Sequence, residues 1–188
     1  MDPLNLTVII VSTRPTRVGL PIGRWFTDVA KAYGHFAVSV ADLKEINLPV
    51  FDEPKHPRLG EYEHAHTKAW SAIVGAADAF VFVTPEYNYA APPSLVNAVD
   101  YLHREWAYKP AGFVSYGGLA GGTRAVQVAK QVITSLKVMP IPEAVAIPFV
   151  TNHLEGGEFK PTESFGHSAK ILLDELHRWA VALRPMRG

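Results

Sequence analysis

The chain contains no cysteine. Dithiol redox chemistry and thiolate metal sites are therefore excluded, because each needs the sulfur itself. Neither sign of charge is in excess: 18 Lys and Arg balance 18 Asp and Glu. A nucleic-acid partner asks for a basic surplus to neutralise phosphates, so that class is set aside. The same balance leaves no acidic surface of the kind that docks on basic proteins. No apolar run approaches the roughly 20 residues of a membrane span. Met1-Asp2-Pro3-Leu4-Asn5 carries no basic segment followed by an apolar one. These absences predict a cytoplasmic protein with no membrane partner. Four signatures are also missing: G-x-G-x-x-G, G-x-x-x-x-G-K-[ST], G-x-S-x-G and H-E-x-x-H.

What is present is a regular alternation. Leu6–Val11, Phe36–Ala41, Ala79–Val83 and Ala111–Tyr116 are β-prone runs that read as strands, most of them buried on both faces, and Pro85, with no N–H to give, stops the ladder of the third. A fifth strand is split by prolines into Val138-Met139 and Val145–Ile147. Between them lie stretches with helical periodicity. The first is led by Pro21, presents Ile22, Trp25, Phe26, Val29, Ala30 and Tyr33, and is ended by Gly34. The second presents Tyr62, Ala65, Ala69, Trp70, Ile73 and Val74. Pro93 opens the third, with Leu95, Ala98, Val99 and Leu102 inward. The fourth starts at Thr123, with Ala125, Ala129, Val132, Ile133 and Leu136 on one face. The last runs from about Ser164 to Leu183, burying Leu172, Leu176, Trp179, Ala180 and Leu183 and pairing Asp174 with Arg178 outside. Asp42–Gly60 is a long loop with three prolines. With no repeat or linker, residues 1–188 read as one α/β domain: a three-layer, flavodoxin-like sandwich around a five-stranded parallel sheet in the order 2-1-3-4-5.

In that order the ligand crevice lies over the C-terminal ends of strands 1, 3 and 4. Three loops meet there. Ser12-Thr13-Arg14-Pro15-Thr16-Arg17-Val18-Gly19 offers hydroxyls, two guanidiniums and the N–H groups of a helix start, an inventory that suits a monophosphate. Pro85-Glu86-Tyr87-Asn88-Tyr89 offers flat aromatic surface with amide donors and acceptors, which suits a heteroaromatic ring with a polar edge. Ser115-Tyr116-Gly117-Gly118-Leu119-Ala120-Gly121-Gly122 lets backbone N–H groups approach a ligand closely. Each loop alone also reads as a polar turn, a helix-capping segment or a mobile strand–helix connection. Their convergence favours a ligand site.

Ser12-Thr13-Arg14, Thr84-Pro85-Glu86-Tyr87-Asn88 before a proline-led helix, and Ser115-Tyr116-Gly117-Gly118, in this order and spacing, resemble the NAD(P)H-dependent FMN reductase family. That family is flavodoxin-like and includes quinone, chromate and azo-dye reductases. The resemblance runs from about Leu6 to Ile147. It implies FMN as cofactor and NAD(P)H as hydride donor, with a small-molecule electron acceptor and no indispensable side-chain acid or base. Ser12, Arg14, Thr16, Arg17, Val18 and Gly19 would surround the FMN phosphate. Pro85, Glu86, Tyr87, Asn88 and Tyr89 would border the ring and ribityl chain, and Ser115, Tyr116, Gly117 and Gly118 the other edge. It further implies a homodimer or homotetramer, in which the loop around Phe51-Asp52-Glu53-Pro54 and the region after strand 3 face a neighbour. Two positions depart from the family pattern: Val11 stands where Gly is usual, and Thr16 stands where a small residue such as Gly or Ser is common. A non-catalytic electron carrier on the same fold, and a phosphate-binding regulator without flavin, are the rival readings.

Other polar residues read as structural. Without the dinucleotide fingerprint, Asp42 at the end of strand 2 reads as a loop cap rather than a ribose-binding acid. His64 and His66, two apart on the second helix, point to different faces and suit no common metal. His103, Arg104 and Trp106 read as a helix end. Trp25, Trp70 and Trp179 fall on apolar stripes and read as core.

Overall fold

Strand β1 (Leu4–Ile10) sits near the middle of the sheet because its side chains are apolar on both faces; all but Asn5 are buried. The computed structural model describes residues 3–187; Met1, Asp2 and Gly188, included in the single-domain reading, lie outside the described residues. Strands β2 (Phe36–Asp42), β3 (Ala79–Pro85), β4 (Pro110–Tyr116) and β5 (Met139–Ile147) complete a five-stranded sheet in the order β2-β1-β3-β4-β5, every pair parallel. Helices α1 (Gly19–Tyr33) and α6 (Glu163–Leu183) cover one face. Helices α3 (Ala65–Ala76), α4 (Pro93–Asp100) and α5 (Thr123–Thr134) cover the other, and a four-residue helix α2 (Leu43–Ile46) follows β2. The alternation along β3 divides the core: Phe80 and Phe82 join Trp70 and Trp106 on the α3–α5 side, while Val81 and Val83 join Ile22 and Phe26 on the α1 side.

Several details differ from the sequence reading. Pro85 does not stop the β3 ladder: it stays in register with Tyr116, and the next N–H, of Glu86, bonds the Tyr116 carbonyl at 3.2 Å. A parallel ladder uses alternate N–H groups, so the missing donor at Pro85 costs it nothing. The fifth strand is one piece; Pro140 and Pro142 are tolerated because β5 is a sheet edge. Helix α1 begins at Gly19 rather than Pro21, which falls in its first turn where an N–H has no partner to lose. Gly34, with φ of 79°, ends that helix as expected. Helix α3 buries Thr67, Trp70 and Val74, and leaves Ala65, Ala69 and Ile73 facing out. The expected stripe holds at Trp70 and Val74 and fails at Ala65, Ala69 and Ile73; Tyr62 packs against the same core from the segment before the helix. His64 does not share a helix with His66: it is extended, and the two rings stack with centroids 5.1 Å apart. Arg104–Trp106 is a separate 3₁₀ turn beyond α4, and Trp106 is buried. On α6, Asp174 pairs with Lys170 and Arg178 with Glu175, not with each other. Trp25 and Trp179 are half-buried at the edge of the core, whereas Trp70 is inside. A small hairpin, β6 (Leu154–Glu155) with β7 (Glu158–Phe159), turns at Gly156-Gly157 and was not foreseen.

One buried charge has a measurable consequence. Lys109 is 5% exposed and its Nζ donates to the carbonyls of Val74 (2.7 Å) and Gly75 (3.1 Å) at the end of α3. Burial, with Arg187 nearby, pushes its amine down from 10.5 to about 8. The folded chain therefore resists taking up a proton that the unfolded chain accepts below 10.5. Stability is lost as pH falls from about 10.5 to about 8, and the loss is complete below that window. Thermal melting should show wild type gaining stability between pH 8 and 10 relative to Lys109→Met, whose curve lacks this contribution.

Candidate active site

Strand order brings the three loops together. β1, β3 and β4 are consecutive in the sheet, so the segments that leave their C-terminal ends lie side by side. The cleft between them encloses about 180 Å³. It is lined by Ser12, Arg14, Thr16, Arg17 and Val18 from the first loop, by Pro85, Glu86 and Tyr87 from the second, and by Tyr116 and Gly117 from the third. Val150, from the segment after β5, joins them. Gly19 backs onto Ser12 and Tyr116: a Cβ there would lie 2.3 Å from Ser12 Oγ and 2.4 Å from Tyr116 Oη. Both of those hydroxyls are buried and, among the described residues, neither has a hydrogen-bond partner beyond the other. Ser115 is buried behind the cleft, while Asn88, Tyr89 and Gly118 are exposed at its rim.

The first loop is shaped by an ion pair. Arg17 Nη1 donates to the Ser12 carbonyl at 2.8 Å, and the guanidinium grips both carboxylate oxygens of Asp42, with Nη2 at 2.5 Å from Oδ2. The Asp42 hydrogen bond is the main cause that holds the Arg17 pKa above its ordinary value. Asp42 also accepts from the Lys44 N–H at 3.0 Å, so it does cap the loop after β2. The Arg17 charge is thus neutralised inside the fold. Arg14 is exposed, with its guanidinium 6.0 Å from the Tyr87 ring centroid. Among the described residues, the N–H groups of Thr13, Arg14, Thr16 and Val18 make no protein hydrogen bond. Val11, the residue that departs from the family pattern, is buried; it takes its N–H bond to Val83 and accepts from Ser94 Oγ at 2.7 Å.

The second loop is a tight two-residue turn. Tyr87 and Ala90 exchange both backbone bonds, at 3.0 and 2.9 Å, and Asn88 and Tyr89 between them have φ of 50° and 67°. Two successive left-handed residues define the turn that matches strand twist, a position usually held by Gly or Asn. Glu86 immediately precedes this turn. Its carboxylate is nearly buried and takes Arg124 Nε at 2.6 Å, Arg124 Nη2 at 2.5 Å and the Arg124 N–H at 3.2 Å. Glu86 thereby caps the start of α5 rather than standing free as a base. Arg124 was not singled out by sequence: it lies 38 positions from Glu86, and no local pattern links them.

The third loop is pinned from within. Ser115 Oγ donates to the Gly121 carbonyl at 2.8 Å, and the Gly117 N–H goes to Ile147 at 3.2 Å. The N–H groups of Gly118, Leu119 and Ala120 make no protein hydrogen bond among the described residues. Burial raises the Tyr116 phenol well above its ordinary pKa; the Ser12 hydroxyl and the guanidiniums of Arg17 and Arg14 pull against that rise. The phenol therefore keeps its proton at neutral pH.

The sequence matches the NADPH-dependent FMN reductase family over residues 4–152. It is 38% identical over 163 residues to an NAD(P)H-dependent FMN reductase of Schizosaccharomyces pombe, a match that covers 86% of this chain and 81% of that one. A quinone reductase of Pseudomonas putida is 32% identical over 130 residues, covering 62% of this chain and 67% of that one. Among solved structures, a flavoenzyme NAD(P)H:(acceptor) oxidoreductase from Paracoccus denitrificans shares the fold with a TM-score of 0.74 at 19% identity, over 95% of this chain and 98% of that one. The chain belongs to the NADPH-dependent FMN reductase family, and is a flavin-dependent oxidoreductase that draws on FMN and NAD(P)H.

Proposed function

We propose that this protein passes a hydride equivalent from NAD(P)H to a small oxidant of the quinone type, with FMN held across the C-terminal ends of β1, β3 and β4. The balanced reaction is NAD(P)H plus a proton plus quinone giving NAD(P)⁺ plus hydroquinone. Bound FMN supplies a ring that accepts two electrons as hydride, chemistry no side chain of a cysteine-free site can replace.

The observation that carries this reading is the pair of hydroxyls, Ser12 Oγ and Tyr116 Oη, buried at the meeting of the three loops with no partner beyond each other among the described residues. Buried polar atoms without partners are uncommon, and a ligand with acceptor oxygens satisfies them. Ser12, Thr16, the exposed Arg14 guanidinium and the free N–H groups of Thr13, Arg14, Thr16 and Val18 suit a phosphate. Arg17 serves that end from behind: neutralised by Asp42, it holds the Ser12 carbonyl and sets the loop's shape. Pro85, Tyr87 and Asn88 present the surface that borders a flat ring, and Tyr89 stands at the outer rim beyond it. The free N–H groups beginning at Gly118 are placed to meet its polar edge, and a Cβ at Gly118 would touch nothing within 4 Å. Tyr116 holds its proton on Oη and can donate it in a hydrogen bond. Glu86, the carboxylate in the cleft lining, is engaged by Arg124, which leaves the hydride chemistry to the cofactor.

The oligomeric part of the reading rests on the loop after β2. Val50 at its tip is 88% exposed, and a groove of about 910 Å³ runs between this loop and α4. A second copy seated there would make a homodimer, or a homotetramer from two such pairs. The cytoplasmic placement belongs to the same proposal; among the described residues no helix is long and apolar enough to cross a membrane.

The absorbance spectrum of the purified protein tests the core of the reading. It should show flavin, retained or taken up on adding FMN, and anaerobic NADH or NADPH should bleach it. Steady oxidation of NAD(P)H with a quinone separates an enzyme from an electron carrier. A colourless protein that binds no FMN and oxidises no NAD(P)H would overturn the proposal.

A further inference from the structure

Cofactor binding leaves the rim of the second loop unexplained. Tyr89 has φ of 67°, a conformation that costs a bulky side chain on the order of 1 kcal/mol and that Asn or Gly would adopt more easily. Its side chain is 67% exposed, so burial does not offset that cost. The ring is nevertheless held. The Arg124 guanidinium lies 3.8 Å from its centroid, within the range of a cation–π stack. Arg124 is fixed in turn by the nearly buried Glu86 carboxylate through Nε and Nη2. A strained turn, a stacked cation and a buried anion thus combine to hold one exposed phenol ring in place. Exposed apolar side chains lie on the neighbouring segments: Leu119 in the third loop and Phe149, whose N–H bonds the Gly118 carbonyl at 2.9 Å. The rim is aromatic and apolar where the cleft below it is polar.

We infer that Tyr89 determines acceptor specificity and that Arg124, clamped by Glu86, is its positioning residue: together they form a ready-made flat wall for planar aromatic oxidants. Arg124 covers one face of the ring and leaves the rest open to stack an incoming quinone. A fixed ring loses little freedom on binding, which favours a planar partner over a compact one. The inference rests on the quinone-type reaction proposed above and names the residues that choose among its acceptors.

The test compares menadione, a planar two-ring quinone, with ferricyanide, an oxidant without an aromatic face. Tyr89→Asn removes the ring and keeps a residue suited to the left-handed turn. Tyr89→Phe keeps the ring. Arg124→Lys keeps a charge and loses the planar fork that stacks and pairs. The ratio of kcat/KM for menadione to that for ferricyanide should fall about tenfold in Tyr89→Asn, the size of one aromatic stacking contact, through KM for menadione rather than kcat. Tyr89→Phe should restore the ratio, and Arg124→Lys should lower it. An unchanged ratio in Tyr89→Asn, or an equal fall in Tyr89→Phe, overturns the inference while the reaction stands. A wild-type protein that turns over neither acceptor overturns the reaction and the inference together.

Discussion

Gly122→Ala should lower the melting temperature by roughly 4–20 °C, although Gly122 itself does not line the cleft. Gly122 has φ of 84°, and a Cβ there would lie 2.7 Å from the Tyr116 nitrogen and 2.8 Å from Ser115 Cβ. Left-handed backbone costs an L-residue about 1–2 kcal/mol. Overpacking against atoms that cannot move adds about 1–3 kcal/mol, and here the obstructing atoms belong to β4, a central strand buried along its whole length. At about 2–4 °C per kcal/mol for a domain of this size, the sum gives the stated range. Gly118→Ala is the control. Its Cβ meets nothing within 4 Å, so its melting temperature should stay within about 1–2 °C of wild type. Differential scanning calorimetry of the two variants separates a glycine required by the fold from one that is merely near the site. Equal melting temperatures would show that the β4 end yields more readily than its burial implies.

The contrast between those glycines marks what the sequence makes legible. Four glycines in six residues signal a backbone that must bend or be approached, but not which residue does which. Strand identities and their order were readable because a parallel sheet covered on both faces demands continuous apolar runs, and Leu6–Val11 and Ala79–Val83 have no other economical explanation. Helix faces were less secure where a turn precedes the helix. Tyr62 lies outside α3, and of the residues expected on one face only Trp70 and Val74 are buried in the helix, while Ala65, Ala69 and Ile73 face out. Proline was over-read twice, at Pro85 and in β5, because its lost donor matters only where the ladder would have used it.

The site divides in the same way. Residues of one loop could be grouped by adjacency, and the cleft does bring together Ser12, Arg14, Tyr87, Tyr116 and Gly117. Partners across loops were hidden. Glu86 could be seen as a carboxylate needing a role, but its partner Arg124 sits on α5, and only the fold sets them 2.5 Å apart. Arg17 and Arg14 look alike in sequence, three positions apart in one polar turn. The structure separates them: one is neutralised inside the fold, and the other is exposed beside an aromatic ring.

That separation sets up the second large effect. Asp42→Ala should destabilise the protein by about 3–5 kcal/mol and weaken flavin retention as well. The Arg17 side chain is 5% exposed, so removing its carboxylate strands a buried guanidinium with only the Ser12 carbonyl for company. The Lys44 N–H loses its cap too, worth about 1 kcal/mol. Flavin retention falls because Arg17 no longer ties the Ser12 backbone to the end of β2, and the N–H groups assigned to the phosphate lose their fixed directions. Asp42→Asn, which keeps the cap and the neutral hydrogen bonds, should fall between. The decisive comparison is the double variant Arg17→Leu with Asp42→Leu. Apolar replacement of both partners in a buried ion pair is often neutral. The double variant should therefore melt close to wild type, while its FMN affinity stays low because the loop has lost its anchor. Urea titrations give the stabilities and fluorescence titration with FMN gives the affinities. A double variant no more stable than Asp42→Ala would show that the cost lies in lost contacts. Wild-type affinity for FMN in that variant would show that Arg17 does not shape the phosphate loop at all.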